Sequence, residues 1–398
     1  MMVDNKKRRR ALGSVYLKHY ENEGDGGDNG NEGGGNGNEG SGNDKPIDIS
    51  NYLTIIALED GLTATLSGNT IDYCVDGDGN WKTLASNTNS ESINKGQTLS
   101  FRGDLIPTSS IGVGTFKITK SCDLTGNCMS LLFGDDAVDN NSLSGKNYAF
   151  DKLFYNCSTI KNVSSNFLPA TTLATYCYQN MFNSCTSLTT VPQLPATALA
   201  GYCYSHMFNN CTSLITAPEL PATTLASSCY DSMFRYCTSL TTAATLPATT
   251  LATYCYDNMF YGCKVLTIAT ELPATRLSVC CYQSMFSGCS SLTKAPVLPA
   301  TTLASNCYNQ MFKGCSSLTT APELPATTLA TECYNYMFNG CSKLNYIKAM
   351  FTTTPSTSYT NNWVYGVASS GIFVKNADAT WDVTDTYGIP SGWTVQTA

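Results

Sequence analysis

LPATTLATYCYQNMFNSCTSLTTVPQ, residues 168–193, is the first of seven 26-residue copies that follow one another without an insertion, starting at Leu168, Leu194, Leu220, Leu246, Leu272, Leu298 and Leu324. A fixed period of this size marks a solenoid, in which one repeat cannot bury its own apolar face and stacking does so. Function is then to be sought on a stacked surface.

Comparing the copies with one another separates constant from drifting positions. Leu173, Cys177, Met181, Phe182, Cys185 and Leu188 recur in image after image. The 173, 177, 181 spacing, with 178 and 182 beside it, predicts a short helix with one buried stripe, entered after Pro169. Leu188-Thr189-Thr190-Val191, closed by Pro192, predicts a short strand pairing in parallel with its images. The expected fold class is therefore an α/β repeat solenoid, a strand plus a short helix per coil, roughly one ~4.8 Å strand spacing per coil.

Fourteen of the 19 cysteines fall at two places in the repeat: Cys177/Cys185, Cys203/Cys211, Cys229/Cys237, Cys255/Cys263, Cys281/Cys289, Cys307/Cys315 and Cys333/Cys341. A separation of eight is not zinc-ligand spacing. Stacking turns each set into a column of small buried thiols, and rung-to-rung bridging stays open on distance grounds.

Around the repeats the composition changes. Residues 1–20 contain the basic run Lys6-Lys7-Arg8-Arg9-Arg10, and residues 21–44 hold ten Gly, seven acidic residues and no Lys or Arg. Such a stretch (linker 21–46) cannot offset its chain entropy by burial and acts as a tether reaching roughly 27 Å. Over 47–118 short alternating runs predict a small all-β, sandwich-like domain: Tyr52–Ile56, Leu62–Leu66, Ile71–Val75 and Thr98–Arg102. Asp76-Gly77-Asp78-Gly79-Asn80 resembles the start of a calcium loop, but Trp81 and Asn87 stand where that loop needs Gly and Glu, so a hairpin turn is expected. An entry cap and a degenerate copy, with Leu153, Phe154 and Cys157 at the places of Met181, Phe182 and Cys185, open the solenoid of 119–350. Residues 351–398, with Trp363, Trp381 and Trp393, read as its C-terminal cap.

Only 13% of residues are charged, and the net charge is −7. No basic face for nucleic acid is present, and no apolar run reaches the ~18 residues of a membrane span. Ala11–Leu17 is followed at once by Lys18 and His19, too short for the ~7–15-residue core of a signal peptide with its flank. Neither His19 nor His206 belongs to an acid–base set, and no metal or cofactor site is read. His206 is expected to be an exposed helix residue.

The order Leu-Pro, Leu, then Met-Phe-x-x-Cys-x-x-Leu, repeated seven times within about residues 146–350, resembles the BspA-like leucine-rich repeats of bacterial surface proteins. The ending ATWDVTDTYGIPSGWTV is similar to flanks of such proteins in Bacteroidales and their phages. The resemblance implies adhesion or host-surface binding without catalysis, at a cell surface or on a virion.

Two expectations follow: a binding protein presenting its solenoid to a protein or glycan on a cell surface, or a phage tail fibre or appendage attached through residues 1–20. Candidate contacts are the drifting Tyr176, Tyr202, Arg235, Tyr236, Tyr254, Tyr261 and Tyr336, since aromatics and Arg dominate binding hot spots. A hydroxyl-rich row, Thr189, Ile215, Thr241, Thr267, Thr293 and Thr319, is the candidate on the other side.

Overall fold

The computed structural model describes residues 46–109 and 112–398. The basic start and nearly all of the tether lie outside the described residues.

The alternating runs after Ile47 are strands β1 (Leu53–Ala57), β2 (Ala64–Leu66), β3 (Ile71–Val75) and β5 (Thr98–Arg102), joined by β4 (Lys82–Leu84), β6 (Phe116–Ile118) and β7 (Cys122–Thr125). Most turn their apolar residues inward, as period-two alternation dictates. A six-stranded sheet runs β4-β3-β5-β1-β7-β8, and its last strand, β8 (Ile160–Val163), comes from the degenerate copy. The β7–β8 pairing is parallel, whereas the preceding pairs are antiparallel. The sheet thus hands its edge to the first coil. In the Asp76–Asn80 turn the side chains serve the backbone: Thr98 N–H donates to Asp76 and Asn80 N–H to Asp78.

We number the seven regular copies coils 1–7. Their predicted helix is not there. Among the described residues the α-helices are α1 (Ser130–Phe133) and α2 (Thr357–Thr360), both outside the seven copies. In its place runs a chain of tight turns. Every second N–H bonds three residues back within the coil: Cys177 to Ala174, Gln179 to Tyr176, Met181 to Tyr178, Asn183 to Asn180 and Cys185 to Phe182. The alternate N–H groups cross to the next coil, Tyr176 to Gly201, Tyr178 to Cys203, Asn180 to Ser205, Phe182 to Met207 and Ser184 to Asn209, at 2.8–3.0 Å. An α-helix would spend all of these donors within itself, leaving adjacent coils without backbone bonds.

The conformation that permits this is left-handed at every fourth residue. Tyr176, Asn180 and Ser184 have φ of 61°, 54° and 63°, and their images repeat the pattern. A positive φ at the third position is what a type II turn requires. The inward stripe 177, 181, 185 therefore has a true period of four, which a 3.6-residue helix would rotate away from the core. The strand expected at Leu188–Val191 is a true strand only at the two ends, at Ile160–Val163 (β8) and Tyr346–Ala349, and between them is reduced to single parallel bridges such as Asn162↔Thr190, Thr216↔Thr242 and Ile268↔Lys294.

Inside, the coils stack like on like. Phe182, Phe208, Phe234, Phe260, Phe286, Phe312 and Phe338 form one column with ring centroids 5.6–5.9 Å apart and planes within 9°. A second column is Tyr178 and its six images, each 1% exposed. Position 178, expected only beside the inward stripe, is thus a full member of the core, whereas Leu173, expected within the stripe, is only half-buried. Phe154 and Phe116, the latter on β6 in a separate β2–β6 pair, extend the Phe column into the N-terminal β-domain. Trp363 ends both columns, 6.3 Å from Tyr334 and 6.1 Å from Phe338, its indole N–H donating to Gly388. Coil 7 ends in β9 (Tyr346–Ala349), which forms a parallel three-stranded sheet with β10 (Ile372–Lys375) and β11 (Thr394–Thr397).

The thiols explain themselves at this level. All 19 are free and buried. In the second column each thiol donates to a Phe carbonyl of the coil before, Cys185 to Phe154, Cys211 to Phe182 and so on to Cys341 with Phe312, at 3.0–3.3 Å. Cysteine combines a small apolar body with one weak donor. Burial pushes the thiols of Cys237, Cys289 and Cys341 up to about 12, which suppresses the reactive thiolate.

Candidate binding surface

The sequence of turns presents three left-handed positions per coil, at 176, 180 and 184 and their images, along one side of the stack. They flank a core held by 177, 178, 181, 182 and 185; the tyrosines there are partly or fully exposed, whereas Ser228, Ser232, Cys280 and Ser284 are buried. This turn face carries most of the candidate residues, and it places them in rows.

Tyr148, Tyr176 and Tyr202 form a partly exposed stack with centroids 4.6 Å apart. Tyr254 continues that row after a break at Ser228. Arg235 and Tyr261 occupy the row of Asn183, while Tyr236 occupies that of Ser184. The guanidinium of Arg235 sits 4.9 Å from the Tyr236 ring and 4.8 Å from the Tyr261 ring, and its Nε is buried without a hydrogen-bond partner. Tyr336 stands apart in coil 7, near the Lys313 ammonium and accepting from Asn361. The structure therefore groups Arg235, Tyr236 and Tyr261, groups Tyr176 with Tyr202, and leaves Tyr336 distant.

The other candidate row, Thr189, Ile215, Thr241, Thr267, Thr293 and Thr319, is exposed throughout. Several of its hydroxyls are occupied: Thr189, Thr241 and Thr293 donate to Lys161, Ile215 and Thr267 carbonyls. They tie coil to coil and leave little donor capacity for a ligand.

His206, expected on a solvated helix, lies half-buried beside Asp231, Nε2 to Oδ2 3.9 Å, with Asn209 at 3.1 Å from Nδ1. Burial lowers its proton affinity, against the pull of Asp231. The same region contains a pair that a search for local motifs overlooks. Asp231 and Asp257 stand at equivalent places in coils 3 and 4, 26 residues apart in sequence. Burial raises both carboxyls; that of Asp257 reaches about 7, with the charge of Asp231 adding to the effect. Asp231 accepts from Ser232 Oγ at 2.8 Å and Asp257 from Asn258 Nδ2 at 2.7 Å. Copy-to-copy comparison at the place of Gln179 carries the signal, since among the seven regular copies these two are its only acidic residues, and Asp151 holds the same place in the degenerate copy.

Among the described residues no group of three or more His, Cys, Asp or Glu is arranged to hold a metal ion, and no helix is long and apolar enough to cross a membrane. Clefts of about 380 Å³ beside Lys117 and Tyr155 and about 310 Å³ beside Tyr365 and Asp385 are lined mainly by backbone, hydroxyl and apolar groups.

Stacked coils with continuous side-chain ladders, closed at each end by a different structure, define a repeat solenoid. The BspA type leucine rich repeat region matches this chain in six copies, over residues 147–293 and 282–362, and the chain belongs to that family. Among curated proteins and solved structures, nothing matches. Membership carries with it an interaction or surface role as the general property of these repeats.

Proposed function

We propose that the protein is a non-catalytic adhesion scaffold whose turn face binds a protein or glycan on a cell surface. The observation that carries this reading is the division of each coil. The recurring Cys, Tyr, Met and Phe of each turn stretch line the interior, the recurring Pro and Thr of Leu-Pro-Ala-Thr lie at an exposed turn, and the aromatic and charged exceptions gather on the turn face. Several of those exceptions are bulky residues at left-handed positions, Tyr176, Tyr202, Tyr236, Tyr254 and Tyr336 among them. An L-residue there costs roughly 1–2 kcal/mol, a penalty that glycine avoids.

The test is binding of the full chain to intact bacterial and epithelial cells, compared with a Tyr176→Ala/Tyr202→Ala/Tyr254→Ala variant. Saturable binding that the triple variant loses while its melting curve is unchanged supports the reading. Equal binding by both chains places recognition elsewhere and overturns it. A second reading, a virion appendage held through residues 1–20, draws support from the basic run followed by an acidic, Gly-rich tether. It predicts that particles carry the chain and that antibodies to residues 1–20 reach it only after particle disruption.

A further inference from the structure

The interior holds chemistry that surface binding does not use. All 19 thiols are free, and 17 have no exposed surface; Cys157 and Cys280 reach 6% and 5%. They form two columns, Cys177 and its images prolonged by Cys128, and Cys185 and its images prolonged by Cys157 and Cys122. The columns lean in opposite directions along the stack. Cys185 and its images donate one coil back, to Phe carbonyls at 3.0–3.3 Å. The thiols of Cys255 and Cys333 are directed one coil ahead, 4.0 and 3.9 Å from the carbonyls of Cys281 and Tyr359. Each of these thiols is aimed at a carbonyl and not at its neighbour's sulfur.

Folding fixes that arrangement. The Phe182 carbonyl takes the Cys211 thiol at 3.2 Å beside the Cys185 N–H of its own coil at 3.1 Å, so the thiol hydrogen is one of the bonds that join coil to coil. A disulfide along this column would remove two such hydrogens and draw sulfurs of coils ~4.8 Å apart to within ~2.0 Å. Burial also withholds the thiolate, the form that attacks a disulfide.

In the unfolded chain none of this protection holds. The same thiols recur at separations of 8 and 18 residues, and they carry the ordinary pKa of ~8.5 of a free cysteine. The loops they close cost entropy that rises only with the logarithm of length. Glutathione disulfide then meets many pairings, none of them native. In each, one thiolate attacks the oxidant and releases a glutathione thiolate, and a second protein thiolate displaces the other glutathione. Two protein thiols and one glutathione disulfide thus become one protein disulfide and two glutathione thiols. Coils stack by propagation from neighbour to neighbour, so one trapped bridge stops the stack at its own coil.

We infer that the chain folds with every thiol reduced and is delivered already folded, the closed stack being its oxidation-resistant form. Its assembly belongs to a reducing compartment. A chain threaded unfolded through an oxidising space would be diverted into mispaired disulfides, so this route fits a particle component released after assembly. The inference does not depend on what the turn face binds.

The test unfolds the full chain in guanidinium with dithiothreitol and dilutes it either into dithiothreitol or into a glutathione buffer poised to oxidise. In a third arm the chain, already folded, meets the same oxidant. Thiols are counted under denaturing conditions with a thiol-reactive chromogen, and folding is read from the thermal melting transition. The reductant arm should return a cooperative transition with 19 thiols. The oxidant arm should lose that transition about tenfold, while the folded chain should keep at least 17 thiols. Cys157→Ser/Cys280→Ser removes the two thiols with exposed surface and gives coil 5 the serine that coil 3 carries as Ser228. It should fold in reductant and fail in oxidant as the parent does. A parental melting curve with disulfides in the oxidant arm, no folding in reductant, or thiol loss from the folded chain at the unfolded rate overturns the inference. So does full refolding of the double variant in oxidant, which would trace the diversion to the surface pair and not to the columns. Cell binding enters none of these readouts, so the adhesion reading is decided separately.

Discussion

Coils 2–4 and coils 5–7 follow the same backbone path and differ in what stands on it. At the third left-handed position of each coil the later copies place Gly288, Gly314 and Gly340, at φ of 73–77°, stacked so that their neighbours are other glycines. Coils 2 and 3 place Asn210 and Tyr236 there, at φ of 59°. Tyr236 even folds its ring over Gly262, where an added Cβ would clash with it. The turn demands a left-handed backbone and is indifferent to the side chain. A tyrosine where glycine would serve is thus a departure that packing does not ask for, and departures of this kind cluster at functional sites.

The comparison breaks most visibly if the interior, common to both halves, turns out not to be what holds them. Phe234→Ala in coil 3 and Phe312→Ala in coil 6 each remove a ring from the same column. Each should lose about 3–5 kcal/mol, the usual cost of truncating a buried phenylalanine. Urea unfolding followed by circular dichroism checks this, and a marked difference between the two variants would mean that the halves are not equivalent inside.

A smaller effect sharpens the difference on the surface. Gly314→Ala should cost about 1–2 kcal/mol because of its positive φ, since the added Cβ meets only ordinary contacts, 3.8 Å from Gly288. Gly314→Asn should cost less, because asparagine tolerates this conformation. Equal losses would indicate that space, and not backbone handedness, selects glycine there.

Opposite in sign is the effect expected inside the tyrosine column. The hydroxyls of Tyr178, Tyr204, Tyr256 and Tyr308 are buried without a hydrogen-bond partner, and an unmet polar group in an apolar interior costs roughly 1–3 kcal/mol. Tyr204→Phe removes the hydroxyl and keeps the stacked ring, so its melting temperature should rise or hold. A clear fall would show that the hydroxyl is satisfied in solution, by internal water for instance.

These outcomes bear on how much the chain discloses in one dimension. The coil-by-coil repetition, the different ends and the inward cysteines can be read from the copies, because burial constrains residue type at each of them. The sequence predicts a helix here because i, i+4 spacing serves a helix and a four-residue turn unit equally over one stretch. Glycine at 262, 288, 314 and 340, with Asn or Ser at several sister positions, was the distinguishing sign, since both favour turns over helix interiors. The Tyr178 column is only half legible, because a helix sets 178 at the flank of the 173, 177, 181 stripe, whereas the four-residue turn directs it fully inward. Asp231 and Asp257 escaped because motif searches look for chemistry at short spacing, and a solenoid assembles its sites from residues one full coil apart.

That carboxylate pair supplies the subtlest contrast between the halves, because coils 5–7 have only Gln283, Asn309 and Asn335 at the same place. Asp257 is surrounded by Asp231, Arg235, Asn258, Tyr254 and Cys280, with His206 on the far side of Asp231. Its folded carboxyl is raised to about 7, first by burial and then by Asp231, against ~3.9 in the unfolded chain. Between those two values the folded state binds more protons than the unfolded state, so this group's contribution to stability falls as pH rises and is fully lost above about 7. His206, lowered by burial, works in the opposite sense below its ordinary value, which is why the total curve is less informative than a difference. Subtracting the Asp257→Asn curve isolates the carboxylate: the variant should gain stability relative to the parent progressively from pH ~4 to pH ~7. Asn335→Ala in coil 7, which removes no charge, should shift the curve without tilting it. Parallel curves for the parent and Asp257→Asn would mean that the carboxyl is solvated after all, and with it would go the buried acceptor on which coils 2–4 differ from coils 5–7.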